Sequence, residues 1–281
     1  MSLGTFFSLI KIEHTLFALP LALTGAILAA RGIPDLRTLI LLAIAFTAAR
    51  ASAMAFNRLV DRRIDALNPR TADREIPSGA ISVTSTGVLV AICVMVFIAA
   101  AWLINPLCGK LAPVALLVVL GYSYTKRFTS LCHYLLGVAL GIAPVAGWLS
   151  VTGAFSWPPV VLGLGVILWT AGFDILYACQ DIRFDREMGL YSLPARLGAD
   201  RAMRLAALSH LAAFGLFLLT GYLAGLSGFF YLLELSTGGL LVWEHHLVSP
   251  DNLSRLDMAF FRANSLVSIS LMVAVCGGVS I

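Results

Sequence analysis

Asn57, Asp61 and Asp65 stand at i, i+4 and i+8, while Asp174, Asp181 and Asp185 stand at i, i+7 and i+11. Both spacings place their members on one face of a helix, so each set reads as an acidic stripe. Oxygen ligands arranged in this way suit Mg2+, which takes one or two carboxylates, keeps several waters and completes its shell with substrate phosphate. Arginines accompany both stripes: Arg62, Arg63, Arg70 and Arg74 surround the first, and Arg183 and Arg186 the second. Their forked donors match phosphate oxygens. Solvated helix ends also alternate charge, but two matching stripes, each with arginine, point to a bound metal diphosphate.

The setting of these stripes is apolar. The segment FNRLVDRRIDALNPRTADREIPSG, residues 56–79, holds five arginines and four acids, whereas the whole chain of 281 residues is 59% hydrophobic and 12% charged. A mean hydropathy of +0.92 lies well outside the range of soluble domains. Crossing a hydrocarbon core about 30 Å thick takes roughly 20 apolar residues. Nine apolar stretches are predicted as membrane helices, at 12–30, 38–56, 83–104, 111–124, 131–151, 160–179, 202–223, 229–243 and 260–281. The expectation is an all-α polytopic membrane protein forming a single domain over 1–281. Arg31, Gly32, Ile33 and Pro34 follow the first stretch in place of a small-residue cleavage site, so no cleavable signal peptide is expected.

Lys and Arg are distributed unevenly over alternate sides of these stretches. Lys11, Arg50 and the loops after stretches two, four, six and eight hold 16 of the 19 cations, leaving only Arg31, Arg37 and Lys110 on the other side. By the positive-inside rule this predicts a cytoplasmic N-terminus, with both stripes facing the cytoplasm. The net charge of +4 is therefore mainly a topology signal and does not indicate nucleic acid. Asp61 and Asp181 are 120 positions apart, and each follows the second stretch of a group of four. Two pseudo-repeated four-helix groups plus one helix would bring the stripes face to face.

Other residues carry weaker signals. The five cysteines form no CxxC pair and read as small core residues. His245 and His246 adjoin Glu244, but adjacent histidines point to different faces of a helix and no further ligand is spaced for them. Glu13 and His14 read as polar edge residues. Pro20, Pro113 and Pro144 fall within stretches and either kink them or are tolerated. Small-residue runs such as GVALGIAPVAG, residues 137–147, suit close helix packing.

Taken together, these motifs resemble the UbiA superfamily of intramembrane aromatic prenyltransferases over nearly the whole chain. NRLVDRRID resembles the family's NxxxDxxxD motif, PRTADREIPSG the RTxxRPxxxG-type segment after it, and YSYTKR a YxxxKR segment. FDILYACQDIRFDREMGLYSLPARLG resembles the second aspartate motif, and AFFRAN a late segment of the family. KIEHTLFALP and WEHHLVSP are similar to bacterial 4-hydroxybenzoate polyprenyltransferases, including menaquinone-pathway relatives. In this chain Arg58 stands where many relatives have Asp after the motif's Asn. Glu75-Ile76-Pro77 stands where many place Pro directly after the second Arg.

The resemblance implies Mg2+ held by Asn57, Asp61, Asp65, Asp181 and Asp185, with the diphosphate of a polyprenyl donor met by Arg70, Arg74 and Lys126. It implies that Arg50 receives the carboxylate of an aromatic acid, although a snorkelling helix-end arginine is the alternative. Tyr122 and Tyr177 are candidates to shield an allylic cation; Tyr177 is equally a packing residue. Asp174 is a candidate for removing a proton or orienting the phenol, or else a carboxyl satisfied by a neighbouring helix. The implied reaction is Mg2+-dependent transfer of a polyprenyl group to 4-hydroxybenzoate, or to a hydroxylated naphthoate, in a bacterial inner membrane. A transporter would place its acids nearer mid-membrane. An alcohol phosphotransferase would show a DGxxAR signature, which this chain lacks.

Overall fold

The computed structural model describes residues 8, 9 and 12–279, with side chains described at 8, 9 and from 18 onward. The side chains of Glu13 and His14, like Lys11, lie outside the described residues. Among the described residues every regular element is helical. They are α1 (Ile12–Ala30), α2 (Leu36–Leu67), α3 (Val83–Ile104), α4 (Pro106–Gly121), α5 (Cys132–Thr152), α6 (Trp157–Ala178), two short helices α7 (Ile182–Glu187) and α8 (Leu193–Leu197), α9 (Ala199–Leu223), α10 (Gly228–Leu247) and α11 (Asn264–Val279). Short 3-10 turns over Tyr122–Arg127 and Cys179–Asp181 extend α4 and α6, and a π-helical turn over Met258–Ala263 leads into α11.

Among the described residues each predicted apolar stretch falls on these helices and the turns that extend them, and seven segments are long and apolar enough to cross a membrane. The predicted count of nine is not reached by that measure. The part of α1 whose side chains are described, Ala18–Ala30, is an apolar helix, and α10 carries Glu234, Glu244 and two histidines. Beyond the second apolar stretch the helix continues, as the stripe spacing implied: α2 is a continuous 32-residue helix that includes Asn57, Asp61 and Asp65. Local chemistry sets its ends. The Asp35 side chain accepts from the Thr38 N–H at the N-terminus, and this bond holds the Asp35 carboxyl below its ordinary range. At the other end, Asn68 leaves helical geometry and its N–H bonds the Asp65 and Ile64 carbonyls.

Long helices adjacent in the chain pack against one another, α6 being followed by α9, and α11 closes the arrangement against α1, which also packs closely on α5. Small residues permit that approach. A Cβ added at Gly147 would overlap the Ala22 carbonyl oxygen, and one at Gly25 would overlap the Pro144 carbonyl oxygen. Gly141 and Gly163 face each other across α5 and α6 in the same way, so the GVALGIAPVAG run is a packing surface. The core lies where α1, α5, α6, α9 and α11 meet, around Trp169, Phe217, Val166 and Leu271. Large apolar side chains such as Met95, Leu117, Leu211 and Leu232 are exposed on the outside, as expected of helices bathed in lipid. All five cysteines are free, and Cys93, Cys132 and Cys179 are buried.

Gly147→Val is expected to lower the melting temperature of the detergent-solubilised protein by several degrees, since forced overpacking costs about 1–3 kcal/mol. Gly215→Ala, where a Cβ meets nothing within 4 Å, should leave it unchanged or slightly raised. Equal melting of the two variants would refute the close α1–α5 contact.

Candidate functional site

A cavity of about 1030 Å³ opens among α2, α4, α5 and α6 and is lined by residues of both acidic stripes. Its inner wall is largely apolar, formed by residues such as Phe46, Ala139, Leu140, Ala143 and Phe173. Asn57, Asp61, Asp65, Arg70, Arg74, Tyr122, Lys126, Asp174, Asp181 and Arg50 all line it. The residues singled out by sequence spacing therefore converge, apart from Asp185, which is fully buried just behind the lining.

Four carboxylate–cation pairs organise the charged end. Arg127 Nη2 lies 2.7 Å from Asp61 Oδ1, Arg74 Nη1 2.7 Å from Asp65 Oδ1, Arg70 Nη2 2.7 Å from Asp181 Oδ2, and Lys126 Nζ 2.8 Å from Asp185 Oδ1. Arg70 holds Asp181 with two donors, adding Nε to Oδ1 at 3.0 Å. Burial opposes the Arg70 charge, but the hydrogen bonds and charge of Asp181 outweigh it and raise the Arg70 pKa above its ordinary value. Asn57 Nδ2 donates to Asp61 Oδ2 at 2.9 Å, and Ser192 Oγ donates to Asp185 Oδ2 at 2.7 Å.

The pairing crosses between the stripes. Arg70 lies with the first stripe in sequence yet binds Asp181 of the second, while Arg74 turns back to Asp65. The 3-10 turn does the same: Lys126 reaches the second stripe and Arg127 the first. Each cationic segment thus straddles both stripes. Arg62 bonds the Leu59 carbonyl of its own helix, Arg63 is exposed, Arg183 pairs with exposed Glu187, and Arg186 bonds the Ala195 carbonyl. Among the described residues no three His, Cys, Asp or Glu converge as a ready metal cluster. The predicted ligands hold cations instead. Asp65 Oδ2 is buried and has no hydrogen-bond partner, an oxygen open to a hard cation.

The segment after α2 is shaped by residues that spacing alone did not single out. Asn68 accepts from the Arg70 N–H at 3.0 Å and donates to Asp181 Oδ1 at 3.3 Å. Thr71 Oγ1 donates to the Asp65 carbonyl. Arg58 is almost fully buried and its Nε lies 3.8 Å from Glu75 Oε2. The two departures from the family pattern noted above therefore face one another, and together they tie this segment to α2.

Deeper in the cavity, His133 Nδ1 lies 2.7 Å from Asp174 Oδ2. The Leu193 N–H donates to His133 Nε2 at 3.2 Å, so that nitrogen is the acceptor and the ring proton sits on Nδ1, facing Asp174. Asp174 thus finds its partner on the neighbouring helix α5. Sequence spacing could not signal this, because the two residues lie 41 positions apart. Tyr177 stacks beside Phe260 with ring centroids 4.2 Å apart, and Arg70 Cζ lies 5.5 Å from the Tyr177 centroid. His245 bonds His210 of α9 at 3.0 Å.

Comparison with known proteins gives a consistent match. The model of the UbiA prenyltransferase family matches residues 18–266. A 4-hydroxybenzoate octaprenyltransferase from Yersinia enterocolitica is 30% identical over 92% of this chain and 86% of its own length. The apo structure of a UbiA homolog from Aeropyrum pernix K1 superposes with a TM-score of 0.85 at 34% identity, covering 94% of this chain and 97% of that one. A UbiA homolog from Archaeoglobus fulgidus bound to GPP and Mg2+ shares the fold, with a TM-score of 0.74 at 20% identity over 97% of this chain and 99% of its own.

Proposed function

The chain belongs to the UbiA prenyltransferase family, and on that premise we propose that it transfers a polyprenyl group from polyprenyl diphosphate to a ring carbon of 4-hydroxybenzoate in quinone biosynthesis. The observation that carries this reading is one cavity with two chemistries. Four charge pairs stand at its mouth, apolar walls lead inward, and Arg50 of α2 and Tyr122 at the start of the 3-10 turn also line it.

Asn57, Asp61, Asp65, Asp181 and Asp185 are the proposed Mg2+ holders. They offer only hard oxygen donors, and the partnerless Asp65 Oδ2 fits such an ion. Bound there, Mg2+ supplies Lewis-acid stabilisation of the negative charge developing on the departing diphosphate. Arg70, Arg74 and Lys126 exchange carboxylate for phosphate oxygens and stabilise the same charge. Arg50 receives the carboxylate of the aromatic acid by a charge-assisted fork. Asp174, its Oδ2 fixed by His133 Nδ1–H, orients the phenol with its remaining oxygen. Attack through the carbon ortho to the hydroxyl then places the displaced ring proton within reach of that carboxylate. Tyr122 and Tyr177 flank the allylic carbon. The proposed orientation follows the cation distribution: an integral membrane protein with the cavity mouth at the cytoplasmic face of a bacterial inner membrane.

In proteoliposomes supplied with polyprenyl diphosphate and 4-hydroxybenzoate, diphosphate release should require Mg2+ and stop with EDTA. Asp61→Ala and Asp181→Ala should each lower turnover roughly a hundredfold or more, the scale of losing one transition-state charge partner; full turnover in either would overturn the reading. Arg50→Ala should raise KM for the aromatic acid roughly tenfold or more, the loss of a charge-assisted hydrogen bond, while KM for the prenyl donor stays put. Parallel loss for both substrates would remove its assigned role, and running a panel of aromatic acids alongside identifies the preferred acceptor. For orientation, a cysteine placed at Arg183, whose side chain is 92% exposed, should react with a membrane-impermeant maleimide in inverted vesicles and not in intact cells. Labelling in intact cells would reverse the topology.

A further inference from the structure

Asn264 is completely buried and lies outside the cavity lining, yet its amide is among the most engaged groups in the molecule. Its Oδ1 accepts from Trp169 Nε1 at 2.8 Å. An indole nitrogen can only donate, so this contact fixes which way the amide faces. Nδ2 must then point at acceptors, and it meets three: the Phe260 carbonyl at 3.0 Å, Glu244 Oε1 at 3.1 Å and the Ala259 carbonyl at 3.3 Å. Two of those carbonyls belong to the π-helical turn Met258–Ala263. Such a turn interrupts the regular i→i+4 ladder and recurs at functional sites, and here one side-chain amide supplies donors to its carbonyls.

The turn carries Phe260 to the cavity. Phe260 packs on Tyr177 at 4.2 Å and edge-on against Phe173 at 5.4 Å between centroids, and all three rings line the space. Arg70 joins this wall to the charged mouth, with its Nη1 3.4 Å from the Tyr177 hydroxyl while it holds Asp181. We propose that Asn264 is a positioning residue: by pinning the π turn it sets Phe260 against Tyr177 as an aromatic wall that keeps water from the allylic carbon. The inference rests on the prenyl-transfer reading above. When the bond between that carbon and the diphosphate oxygen breaks, the electron pair leaves with diphosphate. The carbon is then captured either by the aromatic ring, with loss of a ring proton, or by water, giving a free prenol and a proton. A ring face stabilises the cation and offers no nucleophile, so the wall biases the partition toward transfer.

The test compares diphosphate released with prenylated aromatic acid formed by the full-length protein in proteoliposomes, using Mg2+, a polyprenyl diphosphate and 4-hydroxybenzoate. Wild type should give a ratio near one. Phe260→Leu and Asn264→Leu should both raise that ratio severalfold, with free prenol making up the difference. If Asn264→Leu fails to fold, Trp169→Phe, which removes the indole donor that fixes the amide while keeping an aromatic ring, carries the same expectation at smaller amplitude. A merely structural role lowers both products in step. An unchanged ratio in the Asn264 or Trp169 variant beside a raised one in Phe260→Leu therefore overturns the positioning role, and an unchanged ratio in all three overturns the wall itself. A wild-type protein that forms no prenylated product from any aromatic acid overturns the transfer reading and this inference with it, which separates the two failures.

Discussion

A set of buried charges has to be held neutral at the edge of a hydrophobic bundle, and the rest of the molecule is arranged around doing so. Asp65 and Asp181 are nearly buried and Asp185 is wholly so. Removing one partner from such a pair strands a charge, at a cost of about 3–5 kcal/mol. The chain meets this constraint with two short cationic segments, one after α2 and one after α4. Each sends one cation to each acidic stripe. The four pairs therefore neutralise the stripes and also tie the ends of α2, α4 and α6 together. On the proposed reading the same pairing would let a ligand enter without electrical imbalance, the carboxylates exchanging cationic side chains for a metal ion and the cations exchanging carboxylate for phosphate oxygens.

Away from that mouth the bundle uses two other means of cohesion. Between α1, α5 and α6 the backbones meet directly through glycines, and packing supplies the attraction. Around α6, α9, α10 and α11 a polar chain takes over: His245 bonds His210, His210 bonds the Trp169 carbonyl, and the Trp169 indole bonds Asn264, which in turn bonds Glu244. Satisfied polar groups in an apolar interior specify one arrangement because any slip leaves a donor unpaired. The polar half fixes register where the small-residue half fixes distance.

Much of this was legible in the sequence. Hydropathy alone located the helices, because a lipid-facing helix must be apolar along its length, and i, i+4, i+8 spacing located the stripes, because helical geometry leaves those positions no other face. Partners across helices were not legible. Nothing in the spacing of Arg70 says that it crosses to Asp181, since a turn of loop after Asn68 decides it, and nothing in YSYTKR says that adjacent cations diverge, since that follows from the tight 3-10 turn. His133 and Asn264 escaped notice for the same reason: single polar residues in apolar runs look like incidental core residues until the facing helix is known. Arg58, unplaced on sequence grounds, became intelligible once Glu75 stood opposite it. The second apolar stretch ends at Phe56 because hydropathy falls at Asn57, while the helix continues through Asp65 as the i, i+4, i+8 spacing implied.

On the proposed reading, that continuation sets the depths at which the two ends of a prenyl diphosphate would rest. At about 1.5 Å per residue, the 32 residues of α2 extend about 48 Å, well beyond a hydrocarbon core of about 30 Å. With its apolar portion in the bilayer, the acidic stripe stands at headgroup depth on the same rod whose inner turns line the apolar cavity. A lipid-borne diphosphate already occupies those two depths before it meets the protein. On the proposed prenyl-transfer reading, binding would transfer neither its charge into oil nor its chain into water, and one uninterrupted helix would serve as the depth gauge that keeps each end in its own medium.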